Sequence, residues 1–101
     1  ETHAIKRVFG ERAQGTPVSS TKSVHGHLLG AAGALEFAAC LQSMRGNFLP
    51  ATMHLAERDP DCDLDYVANA PRHGVRIRRF MSNSFAFGGT NAVLIGGEFR
   101  H

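Results

Sequence analysis

The chain has 101 residues, of which 43% are hydrophobic and 20% are charged, and its net charge is +2 when histidine is neutral. This length and balance are typical of one soluble globular domain with a modest core. The charge is too small to predict a nucleic-acid partner, and no run of lysine and arginine suggests one. No apolar run approaches the roughly 20 residues that a membrane span needs.

The first half of the chain predicts two helices. Residues 1–9 have apolar side chains on one helical face, and Gly10 ends that helix. Residues 16–20 are β-prone. From residue 28 to residue 44, leucine and alanine recur at helical spacing, and Gly46 ends the pattern. Because the first half of this second helix is rich in alanine and glycine, we expect it to be buried.

The second half of the chain predicts loops and two strands. Residues 50–57 are extended at best, residues 59–65 form a polar loop, and residues 71–74 form a turn. Two strands follow, at residues 76–84 and 92–97, the second a continuous apolar run that begins Ala92-Val93-Leu94-Ile95. The mixture of helices and strands predicts the α/β class.

Lys22 and His27 lie on a glycine-flanked segment that leads into the second predicted helix. One interpretation is a surface lysine and a histidine at a helix start. The other is an anion-stabilising pair, because a cation and a neutral imidazole near a helix N-terminus stabilise negative charge on a substrate. In that case the imidazole N–H would donate to a carbonyl oxygen that becomes an enolate.

Two patterns imitate metal sites in part. His25 and His27 could supply half of a zinc site, but the other histidines show no motif spacing. The alternating aspartates that begin at Asp59 imitate a calcium loop, yet Leu64 stands where glycine is needed and Ala70 where glutamate is needed. We expect no metal at either place, and a solvated acidic loop at the second.

Two further features have two interpretations each. Phe87-Gly88-Gly89 is either a plain hairpin turn or a loop whose paired glycines let a backbone approach a ligand, with Phe85 beside it. The carboxylate of Glu36, inside the Ala-rich helix, is either exposed to solvent or engaged in a hydrogen bond or a contact with an ion. Neither the dinucleotide-binding glycine pattern nor the P-loop is present.

Two long segments resemble the β-ketoacyl-acyl carrier protein synthases: Ser-Ser-Thr-Lys-Ser-x-x-Gly-His-Leu-Leu-Gly-Ala-Ala-Gly at residues 19–33 and Asn-Ser-Phe-x-Phe-Gly-Gly-Thr-Asn at residues 83–91. The resemblance implies that residues 1–101 form the C-terminal half of a thiolase-like α/β fold, a mixed sheet with a buried Ala- and Gly-rich helix. It also implies an acyltransferase of fatty acid elongation, which condenses acyl carrier protein bearing an acyl group with malonyl carrier protein and releases carbon dioxide.

The resemblance assigns roles to the residues of the two segments. His27 would be the second catalytic histidine, which hydrogen-bonds the malonyl thioester carbonyl, and Lys22 would organise the histidine pair. Phe87 would be the gating phenylalanine, whose backbone N–H completes an oxyanion hole. The substrate would contact Phe85, Gly88 and Gly89. Glu36 would support the site, with Asn83 and Ser84, beside a structural monovalent cation; no other cofactor and no catalytic metal is implied.

The family's nucleophilic cysteine and first histidine are expected to be missing here, because the chain begins just after the place where that histidine motif should lie. Cys40 and Cys62 do not match the nucleophile. The chain, which begins at Glu1 and shows no signal peptide, is therefore expected to be a fragment that is inactive alone. The cysteines lack zinc or redox spacing and a disulfide between them is unsupported, so a reducing, cytoplasmic setting is expected.

The complete enzyme would be a homodimer acting with acyl carrier protein, without nucleic-acid or membrane partners. The alternatives are a polyketide ketosynthase and a non-catalytic partner subunit resembling a chain-length factor. Two departures from the family stand out. Ala86 occupies a position where glycine is usual, so a positive φ there would cost about 1 kcal/mol. His25 occupies a position where a smaller or apolar residue is common.

Overall fold

The computed structural model of the protein describes residues 1–99. In chain order its helices and strands are α1 (Thr2–Phe9), α2 (Lys22–His25), α3 (Ala32–Gly46), β1 (Phe48–Leu49), β2 (Arg72–His73), β3 (Arg79–Phe85) and β4 (Asn91–Gly97). Three short 3-10 turns occupy Gly10–Gly15, Leu29–Ala31 and Phe87–Gly89. The α/β class is confirmed. Within residues 1–99, no helix combines the length and apolar character that a membrane crossing requires.

The chain divides into two compact units, residues 1–26 with 49–72 and residues 27–48 with residues from 73 onward. The first unit contains α1, α2 and a long irregular segment. Its most buried apolar side chains are Ala13, Ala51, Leu64 and Val67. Leu64 is only 1% exposed although its neighbours in the sequence are acidic. The polar loop at residues 59–65 therefore also supplies a core residue.

Helix α1 is confirmed, and Gly10, at φ +57°, ends it as predicted. Its buried Thr2 hydroxyl shares a hydrogen bond with the Tyr66 hydroxyl. Lys6 Nζ lies 2.5 Å from Asp63 Oδ1, which ties the same helix to the acidic loop. Residues 16–20, predicted to be β-prone, form no strand: the backbone N–H of Val18 bonds the Asp65 carbonyl at 2.8 Å without a continuing ladder of strand pairs.

The second unit consists mainly of α3 and the antiparallel pair β3–β4, in which Phe80 lies opposite Gly96 and Ser84 opposite Ala92. Phe37 of α3 contacts Phe80 edge-on, with ring centroids 5.2 Å apart. One helical turn earlier, a Cβ at Gly33 would lie 3.7 Å from Ser84 Oγ. Residues four apart on the helix thus meet residues four apart on the strand, so one face of α3 packs along β3.

Helix α3 differs from the prediction in its start and its burial. It begins at Ala32 rather than near residue 28, because Leu29 has a left-handed φ of +51°, which no right-handed helix accommodates. Within this chain Ala32 and Ser43 are its buried residues. The helix is therefore covered on the β3 side rather than enclosed.

The arrangement of the strands also differs from the single mixed sheet that was predicted. In residues 1–99 the strands form two two-stranded sheets, β1 with β2 and β3 with β4. Side chains on both faces of the apolar run of β4 are exposed within this chain, and Ile95 is 70% exposed. The predicted strands at residues 76–84 and 92–97 are confirmed as β3 and β4, and the predicted turn before them contains β2 and Gly74, at φ +74°.

Candidate active-site loops

His27 lies in the second unit, on an exposed loop between Gly26 and the turn Leu29–Ala31. The backbone N–H of Leu29 donates a hydrogen bond of 3.0 Å to Nδ1 of His27. A ring nitrogen that accepts a hydrogen bond carries no proton, so in the neutral ring the proton is on Nε2. The imidazole therefore presents an N–H donor at Nε2 to any group placed before it.

This geometry differs from the predicted helix N-terminus. His27 precedes α3, which begins at Ala32, and its ring is oriented by a single-turn loop instead of the first turn of the helix. The loop turns sharply because Gly26, at φ +79°, and Leu29, at φ +51°, both have left-handed backbones. The donor at Nε2 is thus set by local backbone geometry.

Lys22 lies in the first unit and is the first residue of α2, whose four residues follow the segment Ser19–Thr21. Its side chain is half-buried. The hydroxyl of Ser23 donates to the Ser20 carbonyl at 2.9 Å, closing the turn that carries Lys22. A cation is therefore held on a short, hydrogen-bonded turn.

The second predicted loop joins β3 to β4. The backbone N–H of Ala86 bonds the Thr90 carbonyl at 2.9 Å and closes the loop around Phe87, Gly88 and Gly89. Both glycines have left-handed backbones, at φ +79° and +78°. The Phe87 side chain at the tip is fully exposed, and Phe85 at the end of β3 is 57% exposed. These aromatic rings are available to a ligand or to another protein segment.

Ala86 shows no strain in this loop. Its φ of −123° and ψ of 163° are ordinary extended backbone, which any residue adopts. The predicted cost of an alanine at this position therefore does not arise in this conformation.

Glu36, Asn83 and Ser84 all belong to the second unit, Glu36 on α3 and the other two on β3. Glu36 follows Gly33 by one helical turn, on the side of α3 where Gly33 approaches Ser84. Carboxylate, amide and hydroxyl oxygens are ligands that hard cations prefer. The donor types suit the expected monovalent cation, and its presence stays a prediction.

The partial metal patterns are engaged in other contacts. Both ring nitrogens of His25 have partners, the Thr21 hydroxyl at 2.9 Å and the Gly26 carbonyl at 2.8 Å. In the acidic loop, Asp63 pairs with Lys6, and Asp65 accepts two hydrogen bonds from Arg72. Across residues 1–99 no group of three or more histidine, cysteine or acidic side chains could hold a metal ion.

The cysteines are both free thiols. Burial, and secondarily the Glu36 carboxylate, raises the pKa of the Cys40 thiol above its ordinary value. Since the thiolate is the nucleophilic form, this environment disfavours Cys40 as an acyl acceptor.

Leu29 is a residue of this loop that the sequence did not single out, although it bonds Nδ1 of His27. It acts through its backbone N–H, and its side chain is 79% exposed. A backbone donor leaves no signature in the residue type, so only the position relative to His27 could have suggested it.

Comparison with known proteins places these loops in a family. Residues 1–56 match the family model described as β-ketoacyl synthase, C-terminal domain. Nodulation protein E of Rhizobium meliloti is 54% identical over 94 residues, which are 93% of this chain and 23% of that protein. The 3-oxoacyl-[acyl-carrier-protein] synthase 2 of Coxiella burnetii is 50% identical over 95 residues, 94% of this chain and 23% of that protein.

Solved structures agree with these relatives. One chain of the solved complex of a type II polyketide synthase acyl-carrier protein with its ketosynthase superposes with a TM-score of 0.92 at 35% identity, over 98% of this chain and 24% of that one. The ishigamide ketosynthase/chain length factor gives a TM-score of 0.90 at 40% identity, over 99% of this chain and 24% of that one. The fold is thus of the thiolase-like ketosynthase class.

The chain belongs to the β-ketoacyl synthase family and corresponds to the C-terminal part of a β-ketoacyl-acyl carrier protein synthase. It spans about a quarter of the length of the curated relatives that it matches.

Proposed function

We propose that this chain supplies the malonyl-activating part of a 3-oxoacyl-[acyl-carrier-protein] synthase of fatty acid elongation. The observation that carries the proposal is the Leu29 N–H that occupies Nδ1 of His27 and leaves Nε2–H as a donor. The 50% identity to 3-oxoacyl-[acyl-carrier-protein] synthase 2 supports the reaction class.

In the proposed reaction, Nε2–H of His27 donates to the thioester carbonyl oxygen of malonyl carrier protein. The bond to the carboxylate carbon breaks, carbon dioxide leaves, and the electron pair forms an enolate whose oxygen the imidazole N–H stabilises. The enolate carbon then attacks an acyl thioester on a cysteine outside these residues, forming the carbon–carbon bond and releasing the thiolate. Lys22 is proposed to organise the histidine pair, as the resemblance of its segment to the family implies.

The exposed Phe87 loop is proposed to shape the acyl side of the site. Phe87 would gate access, its backbone N–H would stabilise the acyl oxyanion, and Phe85, Gly88 and Gly89 would contact the chain. The open glycine backbone and the two exposed rings support this role. The partner would be acyl carrier protein, the complete enzyme a cytoplasmic homodimer, and Glu36, Asn83 and Ser84 the holders of a structural monovalent cation.

The test separates two half-reactions in the full-length gene product. His27→Ala should slow carbon dioxide release from malonyl carrier protein about 100-fold, the usual effect of losing one oxyanion donor. Transfer of an acyl group onto the enzyme should be largely unchanged. The control is His3→Ala, an exposed histidine on α1. Equal loss of both half-reactions would refute the role of His27.

A second candidate is a polyketide ketosynthase, favoured by the superposition on a ketosynthase in complex with its type II polyketide acyl-carrier protein. Product analysis separates the two. With one acyl primer and excess malonyl carrier protein, a fatty acid synthase component gives a single β-ketoacyl product, whereas a polyketide ketosynthase adds several units.

If a purified full-length gene product has no nucleophile and no turnover, it is instead a non-catalytic partner subunit.

A further inference from the structure

We propose that Ser23 and Thr52 are positioning residues for Lys22, and that their hydroxyls fix the Lys22 turn onto a segment anchored by Asn69. The inference rests on the proposed role of Lys22 and adds residues to which neither the sequence motifs nor the comparisons assign a role. All of the contacts that carry it lie within the first unit.

The Ser23 hydroxyl joins two segments of backbone. It donates to the Ser20 carbonyl at 2.9 Å and accepts from the Met53 N–H at 2.8 Å. The first bond closes the turn that contains Lys22, and the second attaches that turn to a segment thirty residues away. One hydroxyl therefore both shapes the turn and fixes its position.

The Thr52 hydroxyl attaches the other end of the same turn. It accepts a hydrogen bond of 3.0 Å from the backbone N–H of Ser20. Since Ser20 and Ser23 flank Lys22, the lysine backbone is held from both sides by adjacent residues, Thr52 and Met53.

The segment that carries Thr52 is itself anchored. The backbone N–H of Thr52 donates to the Val67 carbonyl, and the Thr52 carbonyl accepts from the Asn69 N–H, both at 2.9 Å. The Asn69 amide then bonds both backbone groups of Leu55, at 2.9 Å to the N–H and 2.8 Å to the carbonyl. Val67 is 3% exposed, so this anchor reaches the core of the unit.

External anchoring matters because α2 has only four residues. A helix of one turn has almost no stability of its own in water, so its backbone depends on contacts from outside. The side chain of a lysine has several rotatable bonds, and a mobile backbone beneath it would spread the cation over many positions. Fixing the turn therefore favours one placement of the ammonium group.

The experiment is a double-mutant cycle in the full-length gene product, with the decarboxylation of malonyl carrier protein as the assay. Thr52→Val removes the hydroxyl at nearly constant volume, and Thr52→Ser retains it. Ser23→Ala is the second, independent variant. Each is made alone and together with Lys22→Ala, and kcat, KM and thermal unfolding are measured for all.

We expect Lys22→Ala and Thr52→Val each to lower kcat, Thr52→Val by about 10-fold, which corresponds to a barrier rise of about 1.4 kcal/mol. KM should stay within about 2-fold, because the binding surface is intact. Thr52→Ser should restore kcat. In the Lys22→Ala background, Thr52→Val and Ser23→Ala should lower kcat by less than about 2-fold, since the lysine through which they act is absent.

Several results would overturn the inference. If Thr52→Val and Ser23→Ala lower kcat by the same factor with and without Lys22, the hydroxyls support the fold and not the lysine. Unchanged kcat in both variants, while Lys22→Ala is slow, also overturns it and leaves the proposed function intact. If Lys22→Ala itself is fully active, the role of Lys22 in the proposed function fails as well. Should Thr52→Val not fold, Ser23→Ala decides alone.

Discussion

The backbone N–H of Leu29 lies 3.0 Å from Nδ1 of His27 and donates a hydrogen bond to it. Because Nδ1 is occupied, Nε2 carries the proton of the neutral ring. We expect the ¹⁵N and ¹H signals of His27 in the full-length gene product, labelled at histidine, to show the tautomer protonated at Nε2. A signal from the tautomer protonated at Nδ1 would contradict both this geometry and the proposed donor role.

Acid should weaken the first unit through Asp65. Hydrogen bonds from Arg72, and secondarily from the Val67 N–H, hold the pKa of Asp65 below its ordinary value of 3.8, although partial burial opposes the shift. A carboxylate with a lowered folded pKa stabilises the fold above the unfolded pKa and loses that contribution as the pH falls through the folded pKa. Stability should therefore fall as the pH is lowered through the ordinary carboxyl pKa, and continue to fall until Asp65 is protonated in the folded state.

Asp65→Asn isolates this contribution. The variant should be less stable than the wild type near neutral pH, and the two curves should converge as the pH falls. Urea unfolding followed by circular dichroism, repeated across the pH range, measures both slopes. Parallel curves would show that Asp65 does not carry the acid dependence. Because Asp63 also has a lowered pKa, chiefly through its hydrogen bond with Lys6, some slope should persist in the variant.

Gly96→Ala should destabilise the second unit. A Cβ at Gly96 would lie 2.3 Å from Cζ of Phe80, and that ring is already packed against Phe37. Overpacking of this kind costs about 1–3 kcal/mol. The loss should shrink in a Phe80→Leu background, because the smaller side chain leaves room for the added methyl group. A Gly96→Ala cost that is equal in both backgrounds would exclude the ring as its cause.

Gly88→Ala should cost about 1 kcal/mol, because Gly88 has a left-handed φ of +79° and alanine is strained there. Open space surrounds the position, so strain and not collision is the expected cause. Gly30→Ala is the matched control, since Gly30 also has open space but no positive φ. Equal effects of the two substitutions in thermal unfolding would remove backbone strain as the explanation.

The sequence was sufficient for the features that depend on local patterns. The apolar periodicity of α1, the β-prone run of β4 and the glycine-rich tip at Phe87 all follow from neighbouring residues, and each is found. The delayed start of α3 was not predictable, because nothing in the identity of Leu29 indicates a left-handed backbone. The burial of Leu64 within an acidic loop likewise depends on contacts between residues far apart in sequence.

The candidate site likewise has features that follow from residue types and features that depend on the folded backbone. Residue types identified Lys22, His27 and Phe87 as candidates, but the orientation of the His27 ring depends on a backbone donor. Within residues 1–99 the burial expected for α3 is partial, because the β3–β4 pair covers one side of the helix. The apolar periodicity of a helix indicates which of its faces can be covered, but it does not give the number of elements that pack against the helix.

The left-handed backbone of Leu29 also has a consequence for how the loop can change. A leucine in this conformation is less stable than glycine by about 1 kcal/mol, so the residue that orients His27 is not the one that would make the loop most stable. Substitutions selected for thermal stability alone would therefore tend to replace Leu29 with glycine. Glycine retains the backbone N–H that bonds Nδ1 of His27, so such a change would stabilise the loop and keep the orientation of the imidazole.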